Sequence, residues 1–434
     1  MRYTKSLVDI GLLPAFFYKG IAYVDFSVSA AKRIFYIFNK LRCDHRSACN
    51  YINDVIIKYS MVQSFQKASV ILKQAAAWYT IEVARFIISA SLFFNIMQKN
   101  YRAWDVNIEE FYKQKTDRDR TAFLVRFAVL APSSHNAQPW KFAVSDDAIA
   151  VMPDTARMLG ISDADGRHMH IAMGCAIENI CIAADYYGYH AHVTPFPADS
   201  QEAVASIVLE KAEDRAHPAE HLIFSIPKRR SDRNPYAGAP PPEKLLLCWK
   251  RPVSENFRVD AVTDYVQRAA IADILVGFRE DVFARGAFRR ELARYKRTNF
   301  TRDFVGMPGF TMGFSTAFSL IAPFLIRHIN VIKLTRNKDL NVLIEHTPVF
   351  IFLSTKEDAK TSWLDAGRMF QRMLLEAERD GLHTSISAVP HPSSELRAIL
   401  GTAYYPQIFF RVGYANKVPQ HSPRLASSQV IIYV

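Results

Sequence analysis

Two short segments of this chain carry side chains suited to binding chemistry. The first, Ala131–Trp140, reads APSSHNAQPW and lies between an apolar helical pattern and an extended one. Its proline, hydroxyls and amide predict a tight turn whose donors can face a planar heterocycle. The second, Arg229–Arg233, reads RRSDR. Its planar guanidinium groups and hydroxyl suit a dianion such as a phosphate.

Read together, the two segments resemble those of the nitroreductase-like FMN-binding superfamily, and most of all its fused, single-chain Acg-type branch. In that family one subunit supplies a P-S-x-x-N turn and the other an R-x-S-x-R cluster. The resemblance covers about residues 106–434. It implies an FMN site formed by Pro132, Ser133, Ser134, Asn136, Arg229, Arg230, Ser231, Arg233 and, near the C-terminus, Arg424. It implies no catalytic side chain and no metal ligand, because the flavin itself passes on the hydride.

One chain that holds both motifs should contain two copies of the subunit fold. A spaced repeat agrees: residues 174–188 read GCAIENICIAADYYG and residues 367–381 read GRMFQRMLLEAERDG. Each block has helical spacing of apolar residues and a closing glycine, followed by an extended run. We therefore predict an α+β, nitroreductase-like fold built as an intramolecular pseudo-dimer, with a first half over residues 105–226 and a second half over residues 227–434.

The two halves are not expected to form two sites. The second half lacks a clear P-S-x-x-N turn, and Pro252–Asn256, PVSEN, is at best a decayed copy. A glycine-rich segment of the second half, residues 302–313, reads RDFVGMPGFTMG and is predicted to cover the single site as a lid. The alternative is an ordinary connection between two helices.

The N-terminal quarter, residues 1–104, has a different character. It carries a net charge of +9, whereas the whole chain carries +12. Its cations alternate with aromatic and aliphatic residues, which indicates basic amphipathic helices. We predict a helical extension packed on the remainder of the chain, with peripheral contact to an anionic membrane surface as the alternative. Nucleic-acid binding is the weakest reading, because no zinc finger, helix-turn-helix or RNA-binding strand motif accompanies the charge.

The five cysteines and the N-terminus bear on location. The cysteines have no spacing typical of disulfides, and the first residues show no cleavage pattern of a signal peptide. Cys43, His45 and Cys49 lack a second pair of ligands that would complete a zinc site. These features predict a cytoplasmic protein, with membrane association as the alternative.

The function that follows from the resemblance is FMN-dependent oxidation and reduction. Hydride would pass from NAD(P)H through the flavin N5 atom to an aromatic, quinone or nitro acceptor, a small molecule that stacks on the ring. No oligomer is required for the flavin site, because one chain supplies both motifs. The alternative function is flavin binding for storage or sensing, without turnover.

Overall fold

The computed structural model describes residues 98–434, apart from residues 199, 213–219, 238, 252–253 and 392. The chain divides into two compact units, Met1–Ser91 and Leu92–Val434, and the described residues belong to the second. Most of the predicted extension over residues 1–104, including Cys43, His45 and Cys49, therefore lies outside the described residues, as does the Pro252–Val253 pair.

The first half of the described chain is a four-stranded antiparallel sheet with two helices. Its strand order is β1-β2-β4-β3, and the long second helix joins β2 to β3. In β1 the alternation WKFAV buries Trp140, Phe142 and Val144 on one face. The elements are α1 (Asp117–Ala128), β1 (Trp140–Val144), β2 (Ala148–Pro153), α2 (Arg167–Tyr186), β3 (Tyr189–Pro195) and β4 (Ala205–Lys211).

A helical pattern that runs from Ile108 to Leu130 in the sequence is divided in the structure. A 3₁₀ turn covers Ile108–Lys113, and α1 begins only after Thr116. The Thr116 hydroxyl accepts a hydrogen bond from the Asp119 backbone N–H at 3.0 Å, which caps a new helix at that point. The helix ends shortly before Pro132, as a proline requires.

The chain between the first and second sheets contains two helices, and a longer insertion follows the first strand of the second sheet. Residues 263–348 separate β5 (Phe257–Val262) from β8 (Val349–Thr355). At the equivalent place, the first half has only a tight hairpin between β1 and β2. The elements are α3 (Glu220–Ile223), α4 (Glu243–Lys250), β5 (Phe257–Val262), α5 (Tyr265–Ala284), α6 (Gly286–Tyr295), β6 (Lys296–Arg297), β7 (Met307–Pro308), α7 (Thr316–His328) and α8 (Arg336–Ile344).

The second sheet repeats the first. Its order is β5-β8-β10-β9, all antiparallel, with a long helix between its second and third strands in sequence. The elements are β8 (Val349–Thr355), α9 (Lys360–Arg379), β9 (His383–Ser387), α10 (Ser394–Leu400) and β10 (Tyr405–Gly413). The same strand order and the same helix position in both halves confirm the predicted α+β pseudo-dimer.

The two halves meet where α2 and α9 cross. A Cβ atom on Gly174 would lie 2.0 Å from the Leu364 carbonyl oxygen, and one on Gly367 would lie 2.1 Å from the Ile171 carbonyl oxygen. The contact is reciprocal, because Gly174 and Gly367 begin the two repeated blocks and Ile171 and Leu364 each precede them by three residues. The glycines of the repeat are therefore the point at which one backbone rests on the other.

The second half also contributes a strand to the first sheet. β11 (Ile431–Tyr433), at the C-terminus, adds to the edge of the first sheet and pairs in parallel with β1, with Ile431 opposite Phe142. The residues before β11, which include Arg424, are thereby carried back to the first half.

A partly buried ion pair joins the halves at the start of α2. Arg167 donates to both carboxylate oxygens of Asp358, with Nη2 3.1 Å from Oδ2. Burial alone would raise the pKa of Asp358, but the hydrogen bonds from Arg167, Trp363 and His391 outweigh it and hold that pKa well below its usual value near 3.8. The Arg167 guanidinium also lies over the Trp363 ring, at 4.5 Å from its centroid.

Among the helices of the described residues, none combines the length and the apolar character needed to cross a bilayer.

We expect Gly367→Ala to destabilise the protein by at least about 3 kcal/mol, because the new methyl group would overlap a backbone oxygen of α2 and force the helices apart. Gly277→Ala is the matched control, since Gly277 also lies inside a helix and has open space around its Cβ position. That variant should gain up to about 1 kcal/mol. Denaturant unfolding measures both, and equal stability of the two variants would contradict the close crossing.

Asp358→Asn should cost about 2–3 kcal/mol at neutral pH, because Arg167 would lose the nearer of its two carboxylate partners and keep only Asp165, at 3.3 Å. The folded-state pKa of Asp358 is depressed, so its contribution is complete above the unfolded-state pKa and is lost as the pH falls through and below about 4. The difference in melting temperature between wild type and variant should therefore narrow in acid. Asp146→Asn, which breaks the exposed Arg118–Asp146 pair, should change stability by less than about 1 kcal/mol. If the difference in melting temperature between wild type and Asp358→Asn stayed constant from neutral pH into acid, a stabilising Arg167–Asp358 ion pair would be contradicted.

Candidate functional site

The predicted turn between α1 and β1 has an unusual backbone. His135, Asn136 and Gln138 have φ angles of 54°, 55° and 54°, in the left-handed region that residues other than glycine seldom occupy. Each such residue costs about 1–3 kcal/mol unless surrounding contacts enforce it. The Ser133 hydroxyl helps to hold this backbone conformation by accepting a hydrogen bond from the Gln138 backbone N–H at 2.9 Å.

Asn136 is the residue of the turn with the most long-range contacts. Its side-chain amide donates to the Gly306 carbonyl at 2.9 Å and to the Pro423 carbonyl at 2.9 Å. Its Oδ1 atom accepts a hydrogen bond from Arg424 Nη1. The buried Asn136 side chain thus ties the turn to the predicted lid segment and to the C-terminal segment.

Gln138, which was not among the predicted site residues, makes a similar pair of long-range hydrogen bonds. Its Nε2 donates to the Phe304 carbonyl at 2.7 Å, and its Oε1 accepts from the Leu425 backbone N–H at 2.8 Å. The Gly306 backbone N–H adds a bond to the Asn136 carbonyl at 3.2 Å. The glycine-rich segment over residues 302–313 therefore lies directly against the turn, as a lid over this site requires.

Two predicted arginines meet at the carboxyl end of the segment that follows α1. Arg229 Nη2 donates to the Leu130 carbonyl at 3.2 Å, and Arg424 Nη2 donates to the Ala131 carbonyl at 3.3 Å. Both arginines are at least 96% buried. The end of a helical segment is a favourable place for cations, because its carbonyl groups point outward without partners.

These arginines retain unused donors. The buried Nε atoms of Arg229, Arg230 and Arg424 have no hydrogen-bond partner, and neither has His421 Nε2. Burial, more than any other cause, lowers the pKa of Arg229 to about 10 and places that of Arg424 well below its usual range. Burial also lowers the pKa of His421 to about 3, and the charges of Arg230 and Arg424 act in the same direction. A cluster of like charges with free donors is electrostatically incomplete without an anion.

Glu378 is the carboxylate whose charge reaches this cluster, and it acts on both Arg229 and Arg230. Burial raises the pKa of Glu378, and the two arginines oppose that shift. No ion pair within 4 Å joins Glu378 to either arginine among the described residues, so one carboxylate at a distance faces three cations.

The remainder of the RRSDR segment is held on the edge of the second sheet. Ser231 forms a parallel bridge with Thr384, and the Asp232 backbone N–H donates to the Thr384 carbonyl at 2.7 Å. The buried Asp232 carboxylate bonds to His383 Nδ1 at 2.7 Å. Asp232 therefore anchors the segment to the second sheet, whereas Arg229 and Arg233 donate to carbonyl groups outside that sheet.

Arg233 connects the cluster to the lid segment. Its Nη1 donates to the Thr311 carbonyl at 3.1 Å. Its charge lies close enough to contribute to the lowered pKa of His135 and of Lys296, for which burial is the first cause. The pKa of His135 falls to about 3, so its ring is neutral at pH 7. Arg233 and the turn thus touch the same segment, at Thr311 and Gly306.

Of the other predicted residues, Pro132 and Ser134 are partly buried on the turn. Ser134 lines a small pocket, together with Ala137, Pro139, Arg157, Met158, Leu159, Asp163, His168 and Met169. The structure therefore brings the turn, Arg229 and Arg424 into one place and joins Arg233 to it through the lid segment. Ser231 lies on the neighbouring sheet edge.

Trp104 and Asn100, which were not among the predicted site residues, both contact Arg424 of the cationic cluster. The Trp104 ring lies under the Arg424 guanidinium at 4.7 Å and stacks on His421 at 4.0 Å between centroids. The Asn100 backbone carbonyl accepts a hydrogen bond from the Arg424 backbone N–H, and the Asn100 side-chain Nδ2 donates to the Thr301 and Asp303 carbonyls. Both lie in the 3₁₀ helix Gln98–Trp104, at the end of the segment that the resemblance did not cover.

Comparison with known proteins gives an independent result. Residues 320–414 match the model of the nitroreductase family. A Mycobacterium tuberculosis protein named "Putative NAD(P)H nitroreductase acg" is 27% identical over 313 residues, which cover 69% of this chain and 90% of that protein.

Two solved structures are also similar. An Anabaena variabilis protein described as "a putative nitroreductase" covers 72% of this chain and 92% of its own, with 10% identity and a TM-score of 0.39. A nitroreductase with bound FMN from Bacteroides fragilis covers 49% of this chain and 98% of its own, with 14% identity and a TM-score of 0.31. The family match and the sequence relatives thus give the chain a similarity to the nitroreductase family, carried by residues 320–414 for the family model and by 69% of the chain for the mycobacterial relative.

Proposed function

We propose that this chain is an FMN-dependent oxidoreductase that takes a hydride from NAD(P)H and delivers it to an aromatic, quinone or nitro acceptor. FMN, when bound, supplies the hydride transfer through its N5 atom. The protein's part is to hold the cofactor, to orient it and to control access to it. Similarity to the nitroreductase family, over residues 320–414, and to the mycobacterial relative supports an oxidoreductase of this type.

The observation that carries the proposal is the cluster of buried cations beside the turn. Arg229, Arg230 and Arg424 each keep an unpartnered Nε atom, and no carboxylate within ion-pair distance neutralises them among the described residues. A phosphate dianion would satisfy those donors, with each charge-assisted bond contributing about 1.5–3 kcal/mol. Trp104 fixes the plane of the Arg424 guanidinium, so little freedom is lost when the anion binds.

At the ring end of the cofactor we assign roles within the turn. Ser133 and Ser134 are proposed to donate to the polar edge of the ring, since the Ser133 oxygen accepts one bond but keeps its own hydrogen. Pro132 shapes the backbone. Asn136 positions the turn, because all three of its side-chain bonds go to the protein.

The remaining predicted residues are assigned to the phosphate end. Arg233 is proposed to close the site from the lid side, through its bond to the Thr311 carbonyl. Ser231 is proposed to contribute its hydroxyl beside the arginines. We nominate no acid or base for the hydride step, which moves no proton that the turn would have to supply.

A second function, flavin storage or sensing without turnover, is favoured by the way the lid segment is held. Phe304, Gly306 and Thr311 all bond to the turn or to Arg233. A segment that is fixed in this way excludes water, but it also limits the entry of a donor or acceptor. The two functions share one cofactor site and differ in whether the segment opens.

Arg230→Gln should weaken FMN binding by about 10–100-fold, which corresponds to the loss of one charge-assisted contact. Arg230 makes no hydrogen bond within the described residues, so the fold should keep its melting temperature without FMN. Arg118→Gln is the control, because Arg118 forms an exposed ion pair with Asp146. Fluorescence titration of the apoprotein with FMN measures the affinity. Equal affinities in the two variants would remove Arg230 from the site.

Purified protein should show the absorption spectrum of a flavin and should release a compound with the mass of FMN. We expect steady-state oxidation of NADH or NADPH in the presence of quinone, nitroaromatic or other aromatic acceptors. If the reconstituted flavoprotein is reduced by neither donor, the storage or sensing function replaces the oxidoreductase. If the apoprotein does not bind FMN, both functions fail.

A further inference from the structure

Helix α7 buries the large apolar residue Ile326 but exposes several others. Its buried residues include the small Ser319 and Ala322, whereas Leu320, Ile321 and Phe324 are 57%, 53% and 66% exposed. Because residues three or four positions apart are neighbours on a helix surface, Phe324 lies beside both Ile321 and Leu320, and these three large side chains form one outward stripe.

The stripe extends beyond the helix itself. Phe318 at its amino end, Ile329 just past its carboxyl end and Phe300 are also exposed, at 39–50%. Phe300 follows Asn299, whose backbone N–H bonds to the Ser319 hydroxyl at 3.0 Å and so lies against the first turn of α7. Elsewhere among the described residues the exposed apolar side chains are single or paired, as is normal for a surface, apart from Ile432, Tyr433 and Val434 at the C-terminus, so this group of six is the larger one. We call these six residues the α7 face.

The stretch of chain that contains α7 carries cations and no carboxylate, although Asp303 lies three residues after Phe300. No aspartate or glutamate occurs from residue 304 to residue 338. The exposed cations Arg327, Lys333 and Lys338 lie within that stretch and form no ion pair with any of the described residues. Arg327 and His328 occupy the last turn of α7, directly after the apolar stripe.

We propose that the α7 face docks on the surface of an anionic lipid bilayer. A helix with large apolar residues outward and cations beside them can lie in the headgroup plane, with the apolar residues in the acyl boundary and the cations at the lipid phosphates. At 13 residues α7 is too short to cross the bilayer, so it lies on the membrane. The absence of acidic residues favours an anionic bilayer over a protein partner, whose interface would carry charges of both signs.

The position of α7 relates the membrane to the cofactor site. The 3₁₀ helix Gly309–Met312, which ends the lid segment, is separated from α7 by only three residues. The Ser315 hydroxyl caps α7 by accepting from the Phe318 backbone N–H at 3.2 Å. The docked helix therefore holds one end of the segment that contacts Asn136 and Arg233. Docking itself is independent of the proposed oxidoreductase activity and can be tested without it.

Vesicle sedimentation with the full chain is the first test. Wild-type protein should sediment with vesicles of equal parts phosphatidylcholine and phosphatidylglycerol, and much less with phosphatidylcholine alone. The double variant Leu320→Gln, Phe324→Gln should lose at least about 10-fold in affinity for the anionic vesicles. The control Leu247→Gln, Val266→Gln changes two exposed apolar residues elsewhere and should bind as wild type. Equal binding by the two double variants would overturn the proposal.

A local probe separates the α7 face from residues 1–97. The tryptophan introduced by Phe324→Trp should add fluorescence emission that vesicles containing brominated phosphatidylglycerol quench. The emission added by Val266→Trp should not be quenched by the same vesicles. Lack of quenching at position 324 would overturn the proposal even if the protein binds vesicles. A wild-type dimer in lipid-free solution that the Leu320→Gln, Phe324→Gln variant dissociates would also overturn it, because a second copy would then cover the face.

Discussion

The contact between two helix backbones at Gly174 and Gly367 is the constraint on which the arrangement of the protein depends. At this crossing each glycine lies against a carbonyl group of the opposite helix, so no larger residue fits in either position. The contact limits how closely the two halves can approach each other. Because it is reciprocal, it also relates the halves by an approximate two-fold axis. Because α2 and α9 occupy equivalent places in the two halves, this one contact also determines which ends of the sheets face each other.

The candidate site follows from that alignment and shows two kinds of stored free energy. The turn holds three residues with left-handed backbone, and the cluster holds Arg229, Arg230 and Arg424 with unused donors. Both features cost stability in the protein alone. Residues from the two halves and from the C-terminal segment converge there, and the return of β11 to the first sheet brings Arg424 to the cluster. An anionic, planar cofactor explains why both costs occur at the same place.

The duplicated architecture is symmetric in its sheets and asymmetric in its connections. The insertion over residues 263–348 exists only in the second half, and it contains both the lid segment and α7. The segment that lies on the turn therefore has no counterpart in the first half. The insertion also joins that segment to a helix with large apolar residues that face outward, so access to the site and the proposed membrane contact belong to one continuous piece of chain.

Local patterns were enough to predict the paired blocks that start at Gly174 and Gly367 and the two motifs that carry the family resemblance. Periodicity, caps and turn residues act over a few positions, so they can be read without the fold. The tertiary structure decided which polar atoms are used. Asn136 spends its amide on Gly306 and Pro423, and Trp104 supports Arg424, because packing brings together residues that are up to 320 positions apart. No local pattern encodes those contacts.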